Sequence, residues 1–179
     1  MTGLHPGHAQ TIEKLYKNDK YGYAVQYPST WFPSGIVYGN AFEIRNYEPK
    51  NPRTRNEQDQ ASLLILDMPM GSPEETNGFL DSLQAQKGQE GREVEVLTID
   101  AHRGVRIKQL LKAQEPGPGL ARRLPVPPSA PGPSNVFDIS TYIANGPQIL
   151  HLWGRASAEA ASGVIDDIIR IEESVTFKM

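Results

Sequence analysis

The sequence predicts one α/β domain of the α+β kind, an antiparallel sheet flanked by helices in an α/β/α sandwich, and three observations predict it. Tyr23, Val25 and Tyr27 recur at spacing two, the period that lines one face of a strand. Gly39-Asn40 and Asn145-Gly146 each separate two apolar runs, the arrangement of a β-hairpin. Ser72-Pro73-Glu74-Glu75 offers a capping hydroxyl, a proline suited to the first helical position and acids that favour a helix N-terminus.

The elements follow in order. Residues 1–12 carry no periodicity and read as a flexible tail, so the domain is placed at 13–179. Lys14 to Lys17 and Tyr21 to Tyr27 flank the turn-forming Asn18-Asp19-Lys20, a first hairpin whose second strand stops at Pro28. Trp31-Phe32, set between Pro28 and Pro33, is an aromatic anchor folded over one end of the core. Ile36 to Tyr38 and Phe42 to Arg45 form the second hairpin, and residues 48–60, empty of large apolar side chains apart from their neighbours, form an exposed loop. Ala61 to Asp67 is apolar on both faces, as expected of a central strand covered from both sides. A helix opening at Ser72 buries Phe79, Leu80 and Leu83. Val94 to Ile99 and Arg103 to Leu111 are strands joined by a tight Asp100-Ala101-His102 connection, with Val105, Ile107 and Gln109 on one face. Residues 114–135 hold seven of the fifteen prolines and form a solvated, Pro-rich loop between two strands. Phe137 to Ile143 and Gln148 to Trp153 are the next hairpin. A helix beginning at Ser157-Ala158-Glu159 then turns Ala161, Val164, Ile165, Ile168 and Ile169 to the core, and Val175 to Phe177 closes the chain as a short strand.

Composition narrows the function classes. At 179 residues the chain can bury a core without covalent staples, and it has no cysteine, which excludes disulfides, thiolate metal sites and a cysteine nucleophile. A formal net charge of −3 argues against a protein built on phosphate neutralisation, so nucleic acid is not an expected partner. No apolar run reaches the roughly 18–20 residues a membrane helix needs, and no signal-peptide pattern opens the sequence.

Tyr16-Lys17-Asn18-Asp19-Lys20-Tyr21-Gly22-Tyr23-Ala24-Val25-Gln26-Tyr27-Pro28-Ser29-Thr30-Trp31 resembles the opening of the PsbP-like family: a polar turn, a glycine–aromatic pair, a strand ending in Tyr-Pro, and a tryptophan three residues on. The run from Ile149 to Phe177, a strand, an acid- and isoleucine-rich helix and a final Ser174-Val175-Thr176-Phe177, is also similar. The resemblance covers most of the chain from about residue 13, and it implies the PsbP/Mog-like α/β sandwich. That family includes the lumenal PsbP subunit of photosystem II, the Mog proteins that bind the GTPase Ran, and bacterial secreted or lipoprotein domains, mostly non-enzymatic adaptors. The 114–135 loop lies outside the shared pattern and no plant-type leader is present, so the resemblance points to a bacterial extracytoplasmic member, with a cytoplasmic location as the alternative. No ligand residue is carried over from it.

Residues able to carry chemistry have plain structural readings. His5 and His8 could share a metal, but no second ligand cluster accompanies them, so no metal or other cofactor is expected. His102 beside Asp100 resembles half of an acid–base pair without a nucleophile, and reads as a turn. His151 beside Trp153 reads as a half-buried sheet residue. Glu74-Glu75 and Asp166-Asp167 are helical neighbours that diverge by about 100° and read as solvated faces. Tyr23, Tyr27, Trp31 and Phe32 read as core before ligand pocket. No nucleophile elbow, phosphate loop, zinc-protease or dinucleotide motif is present, so no catalytic residue is named.

Two segments remain as candidate partner-binding elements. One is the Pro-rich loop with Arg122 and Arg123, suited to a peptide groove or an acidic surface. The other is the polar stretch with Arg45, Lys50, Arg53 and Arg55, and for each the competing reading is a tolerated surface insertion. The expectation is therefore a non-enzymatic protein-binding or assembly module whose partner is another protein, with a small-molecule or lipid carrier as first alternative and an enzyme of unknown class as second. Oligomeric state is left open.

Overall fold

The computed structural model describes residues 13–37, 41–51, 55, 59–112, 135–160 and 162–178. His5, His8, Gly39-Asn40, Arg53, Arg122, Arg123, Ala161 and the Pro-rich segment up to residue 134 lie outside the described residues. Ten strands and two helices are described: β1 (Glu13–Asn18), β2 (Tyr23–Pro28), β3 (Phe32–Val37), β4 (Ala41–Arg45), β5 (Ala61–Pro69), α1 (Pro73–Gln84), β6 (Arg92–Ile99), β7 (His102–Leu111), β8 (Val136–Ala144), β9 (Gln148–Ser157), α2 (Ser162–Glu173) and β10 (Thr176–Phe177).

The strands divide into two antiparallel sheets where the sequence suggested one: a seven-stranded sheet in the order β3-β4-β5-β9-β8-β7-β6 and a three-stranded sheet β1-β2-β10. The split follows from Tyr23, Val25 and Tyr27. All three are buried on one face of β2, and they share a core with Leu63, Ile65 and Leu152, so the first hairpin stacks on the larger sheet instead of extending it. Helix α2 covers the same face, adding Val164, Ile168 and Ile171 to that core. On the opposite face, α1 packs Leu80 and Leu83 against Val94, Val105, Ile107 and Ile149. The result is the α/β/α layering that the sequence predicts, with the small sheet set beside α2.

Local chemistry fixes the elements. Ser72 caps α1 by accepting the Glu75 amide at 3.2 Å, with Pro73 in the first turn. Its buried positions are Thr76, Leu80 and Leu83, and Phe79 is half-buried with its ring edge-on to Tyr142. The β6–β7 turn places both Asp100 (φ 46) and Ala101 (φ 64) in the left-handed region, the geometry of a two-residue hairpin turn. Trp31 is fully buried, while Phe32 already belongs to β3, so the aromatic anchor and the second hairpin are continuous.

Three expectations are corrected. Ser157 ends β9, paired with Val136, and α2 starts at Ser162 instead of Ser157. β5 is sealed on one face only: Ala61, Leu63 and Ile65 are buried and Ser62, Leu64 and Leu66 half-buried, because α1 lies over the β6–β9 half of the other face. Finally, the 48–60 stretch is not wholly exposed, since Gln60 is buried and the Asn46 side chain, just before it, receives and donates bonds to Ala61 and Asp59.

Candidate functional site

Register across β6, β7, β8, β9, β5 and β4 aligns one residue from each strand at the same end of the seven-stranded sheet, on the α1 side. Arg92 pairs with Gln109, Gln109 with Asp138, Asp138 with Arg155, Arg155 with Ser62 and Ser62 with Arg45. Alternation along a strand puts these six polar residues in one row, and side-chain contacts join the four from Arg92 to Arg155. Arg92 Nε donates to Gln109 Oε1 at 3.1 Å, and Gln109 Nε2 reaches Asp138 Oδ1 at 3.5 Å. The other Asp138 oxygen accepts Trp153 Nε1 at 2.8 Å and Arg155 Nε at 3.0 Å, which fully occupies this buried carboxylate.

The next rows are aromatic. The Arg155 guanidinium lies 4.4 Å from the Trp153 ring, His151 is stacked beyond it, and Tyr142 stacks on His151 with centroids 4.2 Å apart. Burial pushes the His151 imidazole down to about 4 against the opposing pull of Asp138, so the ring is neutral near pH 7, and its Nε2 is buried without a partner. Burial raises the Tyr142 phenol, and Asp138 adds to the rise while Ser140 and Arg92 oppose it. Beside these rows, under the end of α1, a pocket of about 260 Å³ is lined by Leu83, Gln86, Arg92, Ile107, Gln109, Ser140 and Tyr142. A neutral imidazole, a protonated phenol and a hydroxyl not joined to a base can bind a ligand, but they do not form a nucleophile–base pair.

Sequence-predicted residues fall on both sides of this picture. Arg45 lies in the polar row, ion-paired with Glu43 at 2.8 Å and close over the Tyr47 ring, with little of its side chain in solvent. Arg55 is half-buried and donates to the Asn46 carbonyl at 3.3 Å. His102 and Asp100 do not pair with each other: His102 Nδ1 meets the Ala144 carbonyl at 2.8 Å with its ring against Phe177, and Asp100 accepts the Phe177 amide at 2.6 Å. Tyr23, Tyr27 and Trp31 are core. Among the described residues, no group of three His, Asp or Glu side chains converges as a metal site.

The polar row and the pocket were missed, because each strand contributes a single residue and no local motif marks them. A second missed cluster is internal. Tyr23 OH and Asn18 Nδ2 both donate to Asp67 Oδ2 at 3.2 Å, and burial pushes that carboxyl up to about 6. This cluster ties the first hairpin to β5 at the far end of the sheet.

No family model matches the chain, and no curated protein matches it. Solved structures do. Cyanobacterial PsbP (CyanoP) from Synechocystis sp. PCC 6803 is similar over 98% of this chain and 98% of its own, at 12% identity and a TM-score of 0.51. LpqN of Mycobacterium tuberculosis, described as involved in cell envelope biogenesis, is similar over 96% and 93%, at 12% identity and 0.54. The Saccharomyces cerevisiae Ran-binding protein Mog1p is similar over 94% and 96%, at 9% identity and 0.53. The chain also spans 48% of a longer Bacteroides thetaiotaomicron structure, at 8% identity and a TM-score of 0.53. These likenesses establish the PsbP/Mog-like fold.

Proposed function

We propose that this chain is a non-catalytic protein-binding or assembly module, and that it meets an acidic partner surface at the sheet end carrying the polar row. One observation carries the reading. Leu111 pairs with Val136 and Arg45 with Ser62 in the same seven-stranded sheet, so the connections after β7 and after β4 leave it at one end. Arg122 and Arg123 belong to the first connection, and Arg53 and Arg55 to the second. Leu110 and Leu111 add exposed apolar surface at the end of β7, at 43% and 36% exposure. Exposed apolar side chains at a strand end whose following connection carries two arginines in sequence suit a protein interface better than a solvated end, since Arg combines stacking area with charge.

The fold supports the class of function and no more: Mog1p is named for binding Ran, and LpqN for a part in building a cell envelope. By the same analogy the proposed location is extracytoplasmic. Among the described residues no helix is long and apolar enough to cross a membrane.

The test is charge reversal on each connection separately, Arg122→Glu with Arg123→Glu and Arg53→Glu with Arg55→Glu, followed by cross-linking and affinity capture from the source organism. The expected result is unchanged melting with loss of the captured partner in at least one double variant. Undiminished capture by both would overturn the reading.

A further inference from the structure

Every arginine on the α1 side of the large sheet except one is matched to an acid. Arg45 faces Glu43, Arg155 faces Asp138, and Arg103 faces Asp81 at 2.7 Å. Arg92 is the exception among the described residues. Its Nη1 donates to Gln86 Oε1 and, at 3.3 Å, to Gln89 Oε1, and its Nε donates to Gln109 Oε1 at 3.1 Å. All three acceptors are neutral amide oxygens, so this exposed guanidinium is oriented without being matched to a carboxylate. The C-terminus of α1 lies near and offsets about half a charge at most. The nearest carboxylate in the row, Asp138, is occupied by Trp153 and Arg155 and is separated from Arg92 by the Gln109 amide.

This guanidinium stands at the pocket under α1, and the rest of the lining is complementary to a short amphipathic molecule. Leu83 and Ile107 give the lining its apolar part, and the mutually hydrogen-bonded Ser140 and Tyr142 hydroxyls give it a polar one. The volume of about 260 Å³ is below the 300–1,000 Å³ usual for drug-sized ligands and is enough for a compact one. With Nε and Nη1 engaged by amides, the two N–H groups of Nη2 stay free to reach a carboxylate, and the amide contacts reduce the side-chain freedom lost on binding. We infer that this pocket binds a small organic carboxylate, with Arg92 as the anion contact and the Leu83–Ile107 wall holding an apolar body. The pocket shares Arg92 and Gln109 with the polar row of the proposed partner surface, but its test reads binding of small acids and not capture of a protein, so the two readings fail separately.

Amide-resolved NMR titration of the whole chain tests it. Acetate, benzoate and phenylacetate are compared with acetamide, benzamide and phenylacetamide at constant pH and ionic strength. The expected result is saturable shifts at Gln86, Arg92, Ile107 and Ser140 with at least one acid, and binding about ten-fold weaker for its amide, as loss of a charge-assisted bond requires. A short peptide with a free C-terminal carboxylate, set against its amidated form, tells whether the carboxylate belongs to a free acid or to a chain end. Arg92→Gln should abolish the preference for acids without lowering the melting temperature. Should that variant lose its fold, Gln109→Glu provides a second route, because a carboxylate placed against Arg92 should compete with the ligand. Equal affinity for acids and amides, binding unchanged in Arg92→Gln, or no saturable shift with any of these acids would overturn the inference.

Discussion

Arg106 on β7 places its Nε 3.1 Å from Glu172 Oε2 on α2, with the arginine side chain 3% exposed and the glutamate wholly buried. Thr141 donates to the same oxygen at 2.6 Å, and Arg106 Nη1 reaches the more exposed Glu173 at 3.1 Å. Arg106 Nη2 and Glu172 Oε1 are buried without partners. The pair is thus well aimed but incompletely satisfied, and the two partners differ in one respect that decides what their loss costs: a buried carboxyl can take up a proton, whereas a guanidinium cannot give one up.

Glu172→Leu should therefore destabilise by about 3–5 kcal/mol, toward the lower figure because Glu173 still faces Arg106. Arg106→Met should cost less, since burial already favours the neutral acid and the Glu172 left behind is not an unpaired charge, and the double substitution should recover most of the loss. Urea denaturation of the three variants checks the order. Equal losses for the two single variants would show that protonation of Glu172 does not relieve the pair.

The same carboxyl sets a pH dependence. Burial pushes Glu172 up to about 8 from an ordinary 4.5, outweighing the opposing pull of Thr141 and Arg106. The folded state then binds this proton more tightly than the unfolded chain, so its contribution to stability is complete below pH 4.5 and is lost as pH rises through 8. Plotted as wild type minus Glu172→Gln, stability should decline across that window and be flat outside it. A difference curve without slope between these limits would remove the assignment.

Gly154 on β9 faces α2, where an added Cβ would come 2.4 Å from Ile168 Cγ2. That distance is possible only for glycine, so α2 sits as close to the sheet as it does because residue 154 has no side chain. Gly154→Ala should cost about 1–3 kcal/mol through overpacking. Adding Ile168→Ala, which removes the clashing methyl, should make the pair less destabilised than the sum of the two single changes. Strict additivity in a thermal-denaturation cycle would show that the helix moves away instead.

How much of this was legible in the sequence depends on whether the signal is local. Tyr23, Val25 and Tyr27 announce a buried strand face by their own spacing, and Ser72-Pro73 announces a helix start, because both patterns are complete within a few residues. Ser157 misled for a physical reason: its hydroxyl does accept the Glu159 amide at 3.2 Å, as a helix cap would, but its backbone still pairs with Val136 in the sheet. Arg106 alternates with the apolar Val105 and Ile107 along β7, a spacing that gives no local sign of burial, and the docking of α2 is what hides it. Glu172 did leave a trace, since Val164, Ile168 and Glu172 stand four apart and so share the buried side of the helix. The row from Arg92 to Arg45 left none, because it exists only through pairing between strands far apart in sequence.

Trp31 was expected in the core and is fully buried there, although its Nε1 lacks a hydrogen-bond partner. Trp31→Ala should cost about 3–5 kcal/mol. Trp31→Phe keeps the ring contact and removes the unsatisfied N–H, so it should cost clearly less than the alanine change. Guanidinium denaturation of both variants tests this. A phenylalanine variant as unstable as the alanine one would mean that the indole volume, and not aromatic packing in general, holds this end of the core.

The last prediction concerns the connection between β7 and β8. Leu111 and Val136 are directly paired in antiparallel register, which brings their Cα atoms to about 4.5–5.5 Å of each other. Two strand ends at that separation can be joined by a tight turn, so the intervening sequence is not required to span any distance. Each doubling of loop length changes closure entropy by only about 0.6 kcal/mol, and shortening a loop moves that term in the stabilising direction. Replacing Glu115–Ser134 by a short Gly/Ser turn should therefore leave the melting temperature unchanged or slightly raised, with the β7–β8 amide hydrogen bonds still protected in hydrogen exchange. The same variant should lose the protein partner if Arg122 and Arg123 contact it. Loss of folding would show that residues 115–134 pack into the domain, and retained folding with full partner capture would move the contact to Arg53 and Arg55.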